Sequence, residues 1–115
     1  MKIWALALCA GLLGCGGEET VASPTACDDG PVESWETFGR GFLVAYCQGC
    51  HASTAENRYD APESVVFDTH DDALKHRDRI LIRSTGANPT MPPAGGPGPL
   101  DLARLEIWIG CFEAQ

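Results

Sequence analysis

Two cysteines and a histidine stand close together in the chain and carry side chains that can do chemistry. Cys47 and Cys50 are three positions apart, and His51 follows directly. Such thiols can form a redox disulfide, hold part of a zinc site or become thioethers on a cofactor. A redox pair normally opens a helix after a strand, and common zinc fingers have a second cysteine pair, but this sequence shows neither. We therefore favour the thioether interpretation and leave the other two open.

The same residues have the spacing at which c-type haem is attached covalently. The two thiols can reach both vinyl groups of one porphyrin, and the adjacent imidazole of His51 can bind the iron. A His/Met ligand pair raises the reduction potential and suits electron transfer. Removal of an N-terminal signal peptide would leave Met91 as the sole methionine, so we predict His51 and Met91 as the axial ligands. His70 and His76 compete with Met91 for this role.

The composition favours a single folded domain and argues against a disordered or nucleic-acid-binding protein. The chain has 115 residues, the size of one domain, and 44% of them are hydrophobic, which is not typical of a disordered chain. Sixteen acidic residues against eight Lys and Arg give a formal charge of −8, which argues against a surface that binds nucleic acid. Six cysteines in so short a chain indicate an oxidising compartment, a metal or a cofactor.

The N-terminal residues resemble an export signal. An apolar run over residues 3–13 follows a short positive start and is too short to span a bilayer as a helix. It ends in the letters LLGC, which resemble the lipobox of bacterial lipoproteins. In that interpretation residues 1–14 are a signal peptide, and Cys15 is lipidated and becomes the new N-terminus. Ordinary cleavage after Ala22 or Ala26 is the alternative.

The composition changes near Trp35. Residues 15–34 are rich in small and acidic residues, so we predict a lipidated tether there and one folded domain over 35–115. Loss of the signal peptide would remove Lys2 and no acid, and would move the net charge to −9. Gly16 is not the Asp that resembles an inner-membrane retention signal. We expect a periplasm-facing protein of the cell envelope, in the outer membrane rather than the inner.

Aromatic residues spaced three and four positions apart predict a first helix over about 34–47. They are Trp35, Phe38, Phe42 and Tyr46. Ser34 is the predicted N-cap, because its hydroxyl can accept a hydrogen bond from an unpaired N–H of the first turn. Gly39 and Gly41 weaken a helix, and we interpret them as a sign that another helix or a ligand approaches closely.

Two further helices and a stiff loop follow. Thr69 and Asp72 form a capping-box pattern that predicts a helix over about 70–84. Residues 86–99 hold five of the eight prolines and surround the candidate methionine, so this loop can fix one side chain in place. Apolar spacing predicts a last helix over about 100–112. The predicted core faces contain Ala73, Leu74, Ile80 and Leu81, then Leu102, Leu105, Trp108, Ile109 and Phe112.

Over about 35–112 the chain resembles a class I mono-haem cytochrome c domain. The resemblance is carried by a glycine-containing aromatic helix that runs into Cys-x-x-Cys-His, and by a Met-Pro-Pro loop before a final helix with Leu105 and Trp108. It implies an all-α fold of three to four helices wrapped around one covalently bound haem c. It also implies that the first and last helices cross at Gly39 or Gly41.

The resemblance further implies an electron carrier. The sequence shows no nucleophile–base pair or catalytic dyad, so we expect no enzymatic activity of its own. The haem would be held by Cys47, Cys50, His51 and Met91. The porphyrin would be buried among Phe42, Tyr46, Leu81, Leu105 and Trp108. A prolyl carbonyl often orients the ligating histidine in this family, and Pro62 is the candidate here.

The expected partners follow from the charge and from the lipid. Redox proteins with a basic docking surface would meet the acidic mature chain, and the lipid on Cys15 would insert in the membrane. We expect no nucleic-acid partner. Two other functions stay open: a haem-based sensor or binder of small ligands with a labile sixth ligand, and a lipoprotein that binds a metal without haem.

Cys27 and Cys111 remain outside the haem motif, at opposite edges of the predicted domain. If the first and last helices cross as the resemblance implies, we expect a disulfide between these cysteines. Such a bond would stabilise the fold by roughly 4.5 kcal/mol in the chain-entropy model. Two separate thiols are the alternative.

Overall fold

The computed structural model describes Cys27 and residues 33–111, and the regular structure in this part is helical. A π-helical segment, Trp35–Gly39, leads directly into the first α-helix. The helices are α1, Arg40–Tyr46; α2, Gln48–His51; α3, His70–Ser84; and α4, Pro99–Gly110. The described residues contain no strand, which agrees with the predicted all-α class.

Several predicted features lie outside the described residues. They are the signal peptide over 1–14, the lipidated Cys15, most of the tether and Phe112. Within residues 33–111, no helix is both long and apolar enough to cross a bilayer. Glu33, at the predicted end of the tether, is buried in the folded unit. The folded unit therefore includes at least Glu33 from the segment that the composition assigns to the tether.

The first helix begins at the predicted N-cap. The Ser34 hydroxyl accepts a hydrogen bond from the N–H of Thr37 at 3.1 Å, and the Thr37 hydroxyl accepts from the N–H of Ser34 at 2.9 Å. The π-helical segment and α1 together cover the predicted helix over 34–47. The first turn is wider than predicted, because the N–H of Gly39 bonds to the carbonyl of Ser34, five residues earlier.

The π-helical segment meets α4 where Gly39 faces Trp108. A Cβ on Gly39 would overlap the indole ring and lie 2.7 Å from its Cη2 atom, whereas a Cβ on Gly41 would meet nothing within 4 Å. Of the two candidate glycines, Gly39 is therefore the one that permits the contact. Leu43, Leu105 and Trp108 are fully buried and belong to the same core.

Helix α3 has the predicted capping box and the predicted range. The Thr69 hydroxyl accepts from the N–H of Asp72 at 3.2 Å, while the Asp72 carboxylate accepts from the N–H of Thr69 at 2.9 Å. Ala73 and Ile80 are buried as predicted, but Leu74 is 40% exposed. Successive helical residues are about 100° apart, so Leu74 lies well away from the side that Ala73 and Ile80 bury.

Two links attach the start of the folded unit to the last helix. The Arg104 guanidinium makes a bidentate ion pair with Glu33, at 2.6 and 3.0 Å, and lies 4.5 Å from the centre of the Phe38 ring. Its hydrogen bonds lower the pKa of Glu33 below the ordinary value. A disulfide joins Cys27 to Cys111, whose Cα atoms are 5.5 Å apart. The expected pairing of these cysteines is thus present in the structure.

Candidate functional site

One cavity of about 640 Å³ is lined by the four side chains predicted to hold a cofactor. They are Cys47, Cys50, His51 and Met91. The volume is typical of small-molecule and cofactor sites. Much of the wall is apolar and includes Ala45, Ala61, Pro62, Val65, Phe67, Ile80, Pro92, Pro93 and Ala94. The fold therefore brings the motif and the methionine, which are far apart in sequence, to one place.

The two thiols lie where α1 passes into α2. The N–H groups of Cys50 and His51 bond to the carbonyl of Cys47, at 3.2 and 2.9 Å, so the three side chains share one helical turn. Both thiols are half-buried, and neither forms a disulfide. Burial, and to a smaller extent the neighbouring Cys50, raises the pKa of the Cys47 thiol to about 12.

Two features of this environment bear on the other chemistries of a cysteine pair. Redox Cys-x-x-Cys thiols have a lowered pKa that supplies the reactive thiolate, whereas the pKa of Cys47 is raised. Within the described part of the chain, no three His, Cys, Asp or Glu side chains converge as a metal-binding group. A zinc site of the common four-ligand kind would require such a group.

His51 is oriented by the loop that follows it. Its Nδ1 atom lies 3.0 Å from the carbonyl oxygen of Val65. Because a carbonyl only accepts hydrogen bonds, the neutral imidazole has its proton on Nδ1 and its lone pair on Nε2. Metal-bound histidines usually have such a partner. The expectation that Pro62 orients His51 is wrong, since the ring bonds to the carbonyl of Val65, while the carbonyl of Pro62 accepts from Arg58 and from the N–H of Val65.

Phe67 holds the same histidine from a second direction. Its N–H donates to the backbone carbonyl of His51 at 2.8 Å, and the two rings lie 4.8 Å apart. Gln48 donates to the carbonyl of Phe67 at 2.7 Å and ties α2 to the end of the loop. The imidazole is therefore fixed both through its ring nitrogen and through its backbone.

Met91 is anchored to the last turn of α3. The N–H groups of Thr90 and Met91 both donate to the carbonyl of Arg83 at 2.8 Å. Further along, the loop turns at Gly95 and Gly96, whose φ angles of 74° and 132° favour glycine. The Pro-rich loop thus places Met91 on the cavity wall, where the residue is 37% exposed.

The two competing histidines lie in different places. His70 begins α3, and its ring packs 5.5 Å from that of Trp35, away from the cavity wall. His76 lines the cavity, and its ring meets that of Phe67 edge-on at 5.7 Å. Of the two, His76 is therefore the one to test against Met91.

Most of the apolar residues expected around a porphyrin lie elsewhere. Tyr46 does line the cavity, and its hydroxyl donates to Asp101 at 2.8 Å. Leu105 and Trp108 are fully buried, and Trp108 packs against Gly39 of the π-helical segment, so neither side chain has surface left for a ligand. The expected residues that do not line the cavity are Phe42, Leu81, Leu105 and Trp108.

Three arginines line the cavity of this acidic protein. They are Arg58, Arg79 and Arg83, against one carboxylate, that of Asp60. Such a wall suits a ligand that carries carboxylates. None of these three arginines was predicted from the sequence as a site residue. The four-residue spacing of Arg79 and Arg83 could have placed them on one face of α3, but nothing in the sequence singles out Arg58.

The chain matches no protein-family model, no curated protein and no solved structure. Its function is therefore inferred from its own residues. The observation most informative about function is that the Cys-x-x-Cys-His motif and Met91 line the same cavity.

Proposed function

We propose that the protein is a membrane-anchored c-type cytochrome that carries single electrons between redox partners. The observation that carries the proposal is the cavity shared by Cys47, Cys50, His51 and Met91. A loop and the whole of α3 separate the motif from the methionine in the chain. Their meeting is therefore a property of the fold and adds to the evidence of the sequence motif.

The residues of the cavity fit a covalently bound haem c. The two thiols would form the thioethers. His51 would bind iron through Nε2, because the Val65 carbonyl holds the proton on Nδ1, and Met91 would be the second protein ligand. Bound haem would supply the one-electron chemistry, since its iron takes ferrous and ferric states.

The chain itself would orient the two ligands and exclude water. Val65 and Phe67 fix the imidazole, and the bonds to the Arg83 carbonyl fix the methionine loop. Ligands that are held before the reaction need little rearrangement when the charge of the site changes. The apolar wall would keep solvent away from most of the cofactor, while Arg79 and Arg83 would meet its carboxylates.

The anchor and the partners are part of the same proposal. The lipid on Cys15 would hold the protein at the cell envelope, facing the periplasm. The donors and acceptors would be redox proteins with basic docking surfaces, because the chain carries a formal charge of −8.

Covalent haem attachment is the decisive test. Protein exported by a host with haem-attachment machinery should give a positive pyridine haemochrome assay, and the haem should resist extraction. The double variant Cys47→Ser with Cys50→Ser should lose the haem. The control double variant, Cys27→Ser with Cys111→Ser, should keep it, because those sulfurs are bonded to each other. A negative assay on the unaltered protein would rule the proposal out.

One observation favours a second candidate, a haem-based sensor or binder of small ligands. Met91 is 37% exposed, and a methionine that dissociates would open the sixth coordination position. Carbon monoxide distinguishes the two functions. Absent or slow binding to the native ferrous protein supports the carrier, whereas rapid binding supports the sensor.

A further inference from the structure

Arg58 donates hydrogen bonds to four backbone carbonyls of the loop between α2 and α3. The acceptors are Ala52 at 2.7 Å, Pro62 at 2.8 Å, Val65 at 3.1 Å and Ala61 at 3.4 Å. They lie on both sides of Arg58 in the chain. A single guanidinium therefore holds together a segment that has no regular structure of its own.

One of these carbonyls is also the acceptor for the proposed iron ligand. The Val65 oxygen lies 3.0 Å from Nδ1 of His51 and 3.1 Å from Nη2 of Arg58. A carbonyl oxygen has two lone pairs and can accept both bonds. The guanidinium thus fixes the position of the atom that in turn fixes the imidazole.

The loop contains a turn that is unfavourable for its residues. Tyr59 and Asp60 have φ angles of 47° and 66°, in the left-handed region that non-glycine residues seldom adopt. The Asn57 side chain accepts from the N–H of Tyr59 at 2.9 Å and supports the same turn. Strained backbone persists only where its surroundings hold it, and here the bonds of Arg58 span the turn on both sides.

We propose that Arg58 is a positioning residue for His51. It holds the Val65 carbonyl where that oxygen keeps the imidazole proton on Nδ1 and directs Nε2 into the cavity. The part of this inference that concerns iron rests on the proposed function. A lysine could not replace Arg58, because an ammonium is a point charge and lacks the planar fork that reaches several carbonyls at once.

The reduction potential separates positioning from simple charge. A histidine whose second nitrogen donates to a carbonyl is a stronger electron donor, and a stronger donor favours ferric iron. Loss of that hydrogen bond should therefore raise the potential. Loss of a positive charge beside the cavity should lower it, because a cation disfavours the more positive ferric state. The two effects have opposite signs.

The test compares Arg58→Lys with two control variants. Asn57→Ala loosens the same turn without touching the Val65 carbonyl, and Arg79→Gln removes a cavity charge that makes no such bond. Two quantities are measured on the purified protein: exchange of the His51 Nδ1 proton with water by NMR, and the reduction potential by redox titration. Proton exchange reports the His51–Val65 bond whether or not haem is attached.

Positioning by Arg58 predicts that Arg58→Lys speeds proton exchange about tenfold and raises the potential. Asn57→Ala should change neither quantity, and Arg79→Gln should lower the potential without faster exchange.

Unchanged exchange in Arg58→Lys would overturn the inference, and so would equally fast exchange in Asn57→Ala. Arg58→Gln can replace a lysine variant that does not fold, with proton exchange as the readout. Protein without haem would refute the proposed function, while proton exchange would still decide the role of Arg58.

Discussion

Met91 and His76 both line the cavity, and either could be the second iron ligand of the proposed haem. Met91 is anchored through its backbone to the end of α3, while the ring of His76 packs against Phe67. We therefore expect Met91→Ala to abolish the ferric absorption band of methionine–iron ligation and to lower the reduction potential, since a thioether ligand raises it. His76→Ala should leave both unchanged. The reverse pattern in absorption spectroscopy would assign the ligand to His76.

Residues with fixed spacing could be predicted from the sequence, and residues that act through the backbone could not. The proposed chemistry of Cys47, Cys50 and His51 depends on neighbouring positions in the sequence, and Met91 stands out because few methionines compete with it. The acceptor for His51 is a main-chain carbonyl, which every residue has. Which carbonyl accepts from His51 depends on how the loop folds around Arg58, and the pattern of apolar residues in the sequence does not indicate that loop conformation.

At the scale of helices, the contact between the π-helical segment and α4 depends on Gly39. A methyl group there would overlap the ring of Trp108, which is fully buried in the core. We expect Gly39→Ala to lower the free energy of unfolding by about 1–3 kcal/mol, the usual range for overpacking. Gly41→Ala is the matched control and should raise it by up to about 1 kcal/mol, because alanine is the better helix former. Urea unfolding measures both, and equal effects would contradict the assignment.

The ion pair between Glu33 and Arg104 joins the first and last elements and should make stability depend on pH. Hydrogen bonds from Arg104 lower the pKa of Glu33 in the folded protein, so folding favours the ionised carboxylate. This contribution is complete above the ordinary glutamate pKa, about 4.3, and is lost as the pH falls through the lowered value. Glu33→Gln should thus be less stable at neutral pH, with a difference that shrinks in acid. A pH-independent difference in urea unfolding would be the contrary result.

The residues at which helices begin are easier to predict from sequence than the side chains that pack against each helix. Ser34 and Thr69 cap their helices through bonds within four residues, so local sequence is sufficient to find them. The burial of Leu105 and Trp108 was also predicted, but their assignment to a cofactor was wrong because it depended on which partner faces them. Packing between distant elements decides that choice, as the contact of Gly39 with Trp108 illustrates.

At the scale of the whole molecule, the proposed anchor is a lipid on Cys15. Cys15→Ser should move the protein from the membrane fraction to the soluble fraction and abolish labelling by radioactive palmitate, because each buried CH₂ contributes about 0.8 kcal/mol to membrane binding. Cys9→Ser is the control and should change neither, since the residue before Cys9 is Leu8, which is not small. Labelling that survives in Cys15→Ser would refute the anchor.

The charge of the whole molecule and the charge of its cavity have opposite signs. The formal charge is −8, while Arg58, Arg79 and Arg83 line the cavity. Encounter over long distances follows the summed charge, and the arginines act only within a Debye length, roughly 10 Å at 0.1 M salt. We therefore expect electron exchange with a basic redox protein to slow as salt is added, and exchange with an acidic one to quicken. Stopped-flow measurements with both partners test this. Electron-exchange rates that do not change with salt concentration for either partner would exclude electrostatic steering.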